Sequence, residues 1–213
     1  EGITDYEQIS GRDFNELVGK SLAKEWHPAQ STLDLINKEE RLSQSKEDMV
    51  AGFLMKWSSS SGGVVATEII RGGMEAAGID SSKLHQNKWM DDHPTVKSDL
   101  ADLGKIMYNR TQKWFADRGI SRVRLHRSAM TSGSAPFSSW SFNRGGYLGT
   151  DLRLKKFSKI IPVSKILSIS STGFGNIIER EAVVFGDVAS FKHLAGRHDQ
   201  KRHGLRAGAG ATP

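Results

Sequence analysis

The 213-residue sequence predicts an α+β fold in which helices come first and strands follow. Apolar stripes at helical spacing run through residues 1–119. Near Ile120 the spacing switches to alternation. Beyond it, short apolar runs are separated by segments rich in Gly, Ser and aromatic residues.

The helical stripes can be taken in order. Phe14, Leu17, Val18, Leu22 and Trp26 form the first, stopped by Pro28, and Met49, Val50, Phe53, Leu54 and Trp57 form the second. The "SSSSGG" of 58–63 marks a break. Val65, Ile69, Ile70, Met74 and Ala77 make a third stripe ending near Gly78. Leu100, Leu103, Ile106, Met107, Trp114 and Phe115 make a fourth, closed by Gly119. In "ISRVRLHRS", Val123 and Leu125 alternate with Arg122, Arg124 and His126, the period of a strand. "KIIPVSKILSIS" (159–170) reads as a second strand with Pro162 in or before it, and "EREAVVFGD" as a third. "TSGSAPFSSWSFN" (131–143) and "RGGYLGT" (144–150) read as loops, with Trp140 placed to pack on a ligand. The expected organisation is a helical region at 1–119, a β-rich core at 120–192 and a disordered basic tail at 193–213.

Cysteine is absent, which excludes a disulfide scaffold, a thiol nucleophile and a thiolate metal site. His85, His93 and the tail histidines lack zinc spacing, so no metal is expected. No apolar run is long enough to span a bilayer. The net charge of +6 is unevenly placed: residues 1–120 hold 15 Lys and Arg against 19 Asp and Glu, and residues 121–192 hold 11 against 4. A basic β half attracts nucleic acid or any phosphate-bearing ligand, and equally fits a basic surface without a specific partner.

Three polar elements fall in the β half. Arg127 shares by alternation the apolar side of Val123 and Leu125, where a guanidinium needs a buried partner or an anion. Ser139 and Ser141 alternate around Trp140, so that both hydroxyls can line a cleft. There is no G-x-S-x-G elbow to make either a hydrolase nucleophile. Glu179 and Glu181 flank Arg180 at the mouth of "AVVF", and a strand running through both would set them on one face with Val183 and Phe185. Each element alone is also what an ordinary strand end or turn provides.

Taken together and in order, R, S-x-S and E-x-E resemble the mono-ADP-ribosyltransferase family across Ile120–Asp187, about a third of the chain. "VRLHRS" resembles its arginine strand with Arg127 at the motif position, and "FSSWS" its S-x-S with Ser139 first. "PVSKILS" resembles the strand before the catalytic loop, and "STGFGNIIERE" the acceptor loop with Phe174 as its aromatic. The resemblance implies a split β-sheet core that holds NAD. Glu181 would stabilise the oxocarbenium-like transition state, Glu179 would act as base toward the acceptor, and Phe174 would recognise it. Arg127, Ser139, His126 and Ser141 would hold the dinucleotide. E-x-E implies a target protein with an acceptor arginine.

The same resemblance implies a toxin, an effector or a phage enzyme that modifies its host. The place of action that fits such a protein is the cytoplasm of a target or host cell, reached by secretion or by a phage. The sequence leaves open both that place and whether an immunity or carrier protein is a partner. NAD glycohydrolysis and transfer to nucleic acid are the neighbouring enzyme readings. A basic capsid or nucleic-acid-associated structural protein is the non-enzyme one.

Overall fold

A computed structural model describes residues 11–38, 64–129, 135–143, 154–173 and 180–186, together with residues 45, 47, 175 and 191. The second apolar stripe, the 144–150 segment and the basic tail lie outside the described residues.

Helices precede strands, as the spacing predicts. They are α1 (Gly11–Ala23), α2 (Gln30–Lys38), α3 (Val64–Ala76), the single turn α4 (Lys88–Asp91) and α5 (Pro94–Ala116). Pro94 stands at the start of α5, where its missing N–H costs nothing. Gly78 (φ 65°) and Gly119 (φ 63°) follow the ends of α3 and α5 in the left-handed conformation. Each lets the chain close a Schellman motif: Ile79 N–H donates to Met74 O at 2.8 Å, and Ile120 N–H to Phe115 O at 3.0 Å.

Five strands follow: β1 (Arg122–Ala129), β2 (Phe137–Ser141), β3 (Lys155–Pro162), β4 (Ile166–Ile169) and β5 (Glu181–Phe185). They form one sheet in the order β3-β1-β2-β5-β4, with every neighbouring pair antiparallel. Two sequence expectations change here. Residues 137–141 are a strand and not a loop. The 159–170 stretch is two strands, because Pro162 ends β3 and a 3-10 turn (Val163–Lys165) separates it from β4.

α5 ties the layers together. Leu100, Leu103 and Met107 pack with α1 and Ile69, and Tyr108 joins Ile70, Met74, Leu167, Val183 and Phe185. Phe115 enters the cluster on the other sheet face, with Leu125, Trp140, Ile161 and Val184. α3 and α5 cross at backbone contact. A Cβ on Gly104 would lie 1.8 Å from Ile69 O, and one on Gly72 1.8 Å from Ala101 O. At its other end α5 holds α2: the Asp99 carboxylate accepts from Ala29 N–H (2.9 Å) and from the buried Thr32 hydroxyl. Among the described residues no helix is long and apolar enough to cross a membrane.

Candidate active site

Register places the polar residues of the β half. Cα pairing aligns Ser158 with His126, His126 with Ser141, and Ser141 with Glu181, one row across four strands. Paired residues share a face, so His126, Ser139, Ser141 and Glu181 all lie on the same side of the sheet. On that side Val183 and Phe185 of β5 are covered by α3 and Tyr108. Glu181, at the start of the strand, is only half-buried.

Ser139 sits diagonally across from Glu181, and its hydroxyl donates to Glu181 Oε1. The diagonal separation of about 7–8 Å between backbones is bridged by the two side chains. β1 and β2 are registered at the single pair His126–Ser141. One residue further along β1, Arg127 Nη1 donates to the Ser139 carbonyl at 2.6 Å. Contacts thus run across three neighbouring strands, but by alternation Arg127 belongs to the Leu125–Trp140 face. Its guanidinium meets the Ser139 main chain, whereas the Ser139 side chain meets Glu181 on the other face. Arg127 is half-buried on the apolar-side alternation of Leu125, as the sequence predicts.

The other sequence-predicted residues divide. His126 is half-buried in the row beside Ser141. Ser141 is in register with Glu181 but buried, and its Oγ accepts from Asn143 N–H at 2.9 Å, so it shapes the strand end and does not line an open cleft. Trp140, expected in a loop, is 2% exposed inside the sheet core. Ser138 lies on the face opposite Ser139; its hydroxyl donates to Gly186 O and accepts from Trp140 Nε1 at 2.8 Å. The adjacent serines therefore serve opposite faces. Phe174 and Glu179 lie outside the described residues. The period-2 argument for Glu179 does not hold: β5 begins at Glu181, and Arg180 just before it has φ 47°.

Residues that sequence reasoning passed over hold both ends of β4 and the head of β5. The buried hydroxyls of Thr111 on α5 and Thr172 after β4 share a hydrogen bond of 2.6 Å, and Thr172 Oγ1 accepts from Ile169 N–H at 3.2 Å. Gln112 Nε2 donates to Val163 O (3.0 Å) and Ile166 O (3.1 Å), fixing the turn between β3 and β4. A Cβ on Gly175 would lie 2.8 Å from Ser170 N and 3.0 Å from Glu181 O, so Gly175 sits close against the head of β5. Phe142 N–H donates to Arg180 O at 3.1 Å, extending the β2–β5 ladder past Glu181. A polar residue at helical spacing within an apolar stripe, as Thr111 is, was the available signal. Among the described residues no group of three His, Asp or Glu side chains gathers as a metal site would. The chain matches no protein-family model, no curated protein and no solved structure.

Proposed function

We propose that the chain is a mono-ADP-ribosyltransferase that moves ADP-ribose from NAD to an arginine of a target protein, with release of nicotinamide. The observation that supports the reading best is the chain of contacts from Arg127 through Ser139 to Glu181 on adjacent strands. The three residue types and their order also match the motif resemblance in the sequence.

In this reading the bond between the nicotinamide nitrogen and the ribose C1′ breaks, and its electron pair leaves on nicotinamide. Positive charge then builds on the ribose. A fixed carboxylate is suited to that charge because it does not reorient as the charge develops. Glu181 stands at a strand head, with Ser139 holding Oε1, so its direction is set before substrate arrives. Arg127 offers a planar multi-donor cation on the scale of a phosphate, anchored through the Ser139 carbonyl. The acceptor guanidino nitrogen forms the new bond to C1′, and its proton passes to Glu179. His126, in the same row as Ser141 and Glu181, would be a further contact for the dinucleotide in this reading.

The test is incubation of labelled NAD and a host-cell lysate with the wild-type chain or Glu181→Gln, read by mass spectrometry. Label on arginine of a discrete protein, lost with Glu181→Gln at unchanged circular dichroism, is the expected result. Free ADP-ribose with no labelled protein would make water the acceptor. Full NAD turnover by the variant would remove Glu181 from the reaction.

A further inference from the structure

The sheet has a second polar region, away from the Arg127–Ser139–Glu181 contacts. Alternation and register set Arg122, Arg124, Lys156, Ser158 and Ile160 on one face of the β1–β3 pair, and all five are exposed. This is the face that carries His126 and Glu181, and the row Ser158–His126–Ser141–Glu181 joins the two regions. Three strand spacings separate the ends of that row, about 14 Å. Lys155 adds a further exposed cation at the start of the edge strand.

Two features make this more than a solvated strand pair. Lysines on an edge strand are a common guard against edge-to-edge pairing, which accounts for Lys155 and Lys156 on β3. β1 is an inner strand with β3 on one side and β2 on the other, so edge protection does not account for Arg122 and Arg124. Nor, among the described residues, are these charges neutralised locally. From Arg118 to Arg180 the described residues include no Asp or Glu, and among the described residues none of Arg122, Arg124, Lys155 or Lys156 is paired with a carboxylate. Among the described residues Arg124 Nη1 reaches Ser158 Oγ, at 3.4 Å.

We propose that the exposed β1–β3 face binds a single strand of nucleic acid, with Arg122, Arg124 and Lys156 on its phosphates and Ile160 beneath a base. Arg122 and Arg124 stand two residues apart on β1, about 6.7 Å, and Lys156, in register with Ser128, lies about 13 Å further along on the neighbouring strand. Exposed cations strung along one sheet face, with no carboxylate among the residues of β1 and β3, suit an extended polyanion. A flat sheet face with an apolar side chain among the cations also lets bases lie down while phosphates find charge. The binding needs no NAD and stands or falls apart from the transferase reading.

The experiment is fluorescence anisotropy of a labelled oligothymidylate titrated with the whole chain over a series of salt concentrations. Neutralising three or four phosphates predicts a slope of log affinity against log salt near −2 to −3, from about −0.7 per phosphate on a single strand. Arg122→Glu/Arg124→Glu/Lys156→Glu should weaken binding more than about tenfold and flatten that slope. The matched reversal Lys24→Glu/Lys83→Glu/Lys88→Glu, on exposed lysines of the helical half, should retain most of it. Should the first triple fail to fold by circular dichroism, the glutamine triple at 122, 124 and 156 replaces it, with the same expectation. Equal loss in both triples would reduce the effect to net charge. Absence of salt-dependent binding, or equal competition by polyglutamate, would overturn the proposal, the latter in favour of an acidic protein partner.

Discussion

Neighbouring serines with opposite duties make the sharpest prediction. Ser138→Ala removes the hydroxyl that accepts from the buried Trp140 indole and donates to Gly186 O. An orphaned buried N–H costs about 1–3 kcal/mol, and the lost bond to the carbonyl adds about 1 kcal/mol. A total near 2–4 kcal/mol lowers the melting temperature by about 5–15 °C for a chain of this size. If the chain is the transferase proposed above, NAD turnover at a temperature where the variant is folded should barely change, since Ser138 faces away from Glu181. Ser139→Ala should do the reverse. Its hydroxyl is exposed, so stability hardly moves, but Glu181 loses the donor that orients it. A hydrogen bond to a charged group is worth about 1.5–3 kcal/mol, and the half-exposed site takes the lower end, so turnover falls about tenfold. Scanning calorimetry and a nicotinamide-release assay on both variants give a two-by-two outcome. Activity lost in Ser138→Ala with its melting temperature intact would mean that the strand register is off by one.

Three further outcomes follow from contacts elsewhere in the fold. Gly104→Ala forces a methyl against Ile69 O, and an overpacking cost of about 1–3 kcal/mol outweighs the roughly 1 kcal/mol gained in helix propensity; calorimetry should show a lower melting temperature, and an unchanged one would mean the helices part freely. Asp99→Ala should cost about 0.5–2 kcal/mol in a denaturant titration, because the carboxylate caps the start of α2 through Ala29 N–H and Thr32. Burial raises the pKa of Tyr108 above the ordinary tyrosine value of 10.0, so its stabilising share is complete below that pH and fades as pH rises through the folded pKa. Calorimetry across that alkaline range should therefore show Tyr108→Phe losing stability less steeply than the wild type, and parallel curves would remove the assignment.

α1, α3 and α5 were legible because each carries an apolar stripe at helical spacing, and the glycines after α3 and α5 mark their ends in the chain itself. α2 and the single turn α4 were not, being short and mostly polar. Nor was β2. Phe137 packs toward Ile70 and Met74 on one sheet face while Trp140 packs with Leu125 on the other, so no apolar-polar alternation survives to be read. β3 and β4 merged in the sequence because a three-residue turn beginning at Val163 carries no strong turn signal beyond Pro162. Arg127, Ser139 and Glu181 were each visible as residue types out of place. Their linkage was not, since it needs the β2–β5 register and the placement of β1 beside β2. The left-handed backbone at Arg180 defeated the parity argument for Glu179, because nothing about an arginine signals it.

The glycine crossing of α3 and α5 bears on how this chain can drift. Where two helices meet at backbone contact, the clashing atoms at positions 72 and 104 are main-chain oxygens, which no neighbouring side-chain change can move aside. Surface positions can diverge until overall identity disappears, while these two stay small or the layers come apart. A distant relative is then recognised by a spacing rather than by a resemblance: two glycines thirty-two positions apart, followed by arginine, serine and glutamate on three strands of the sheet behind them.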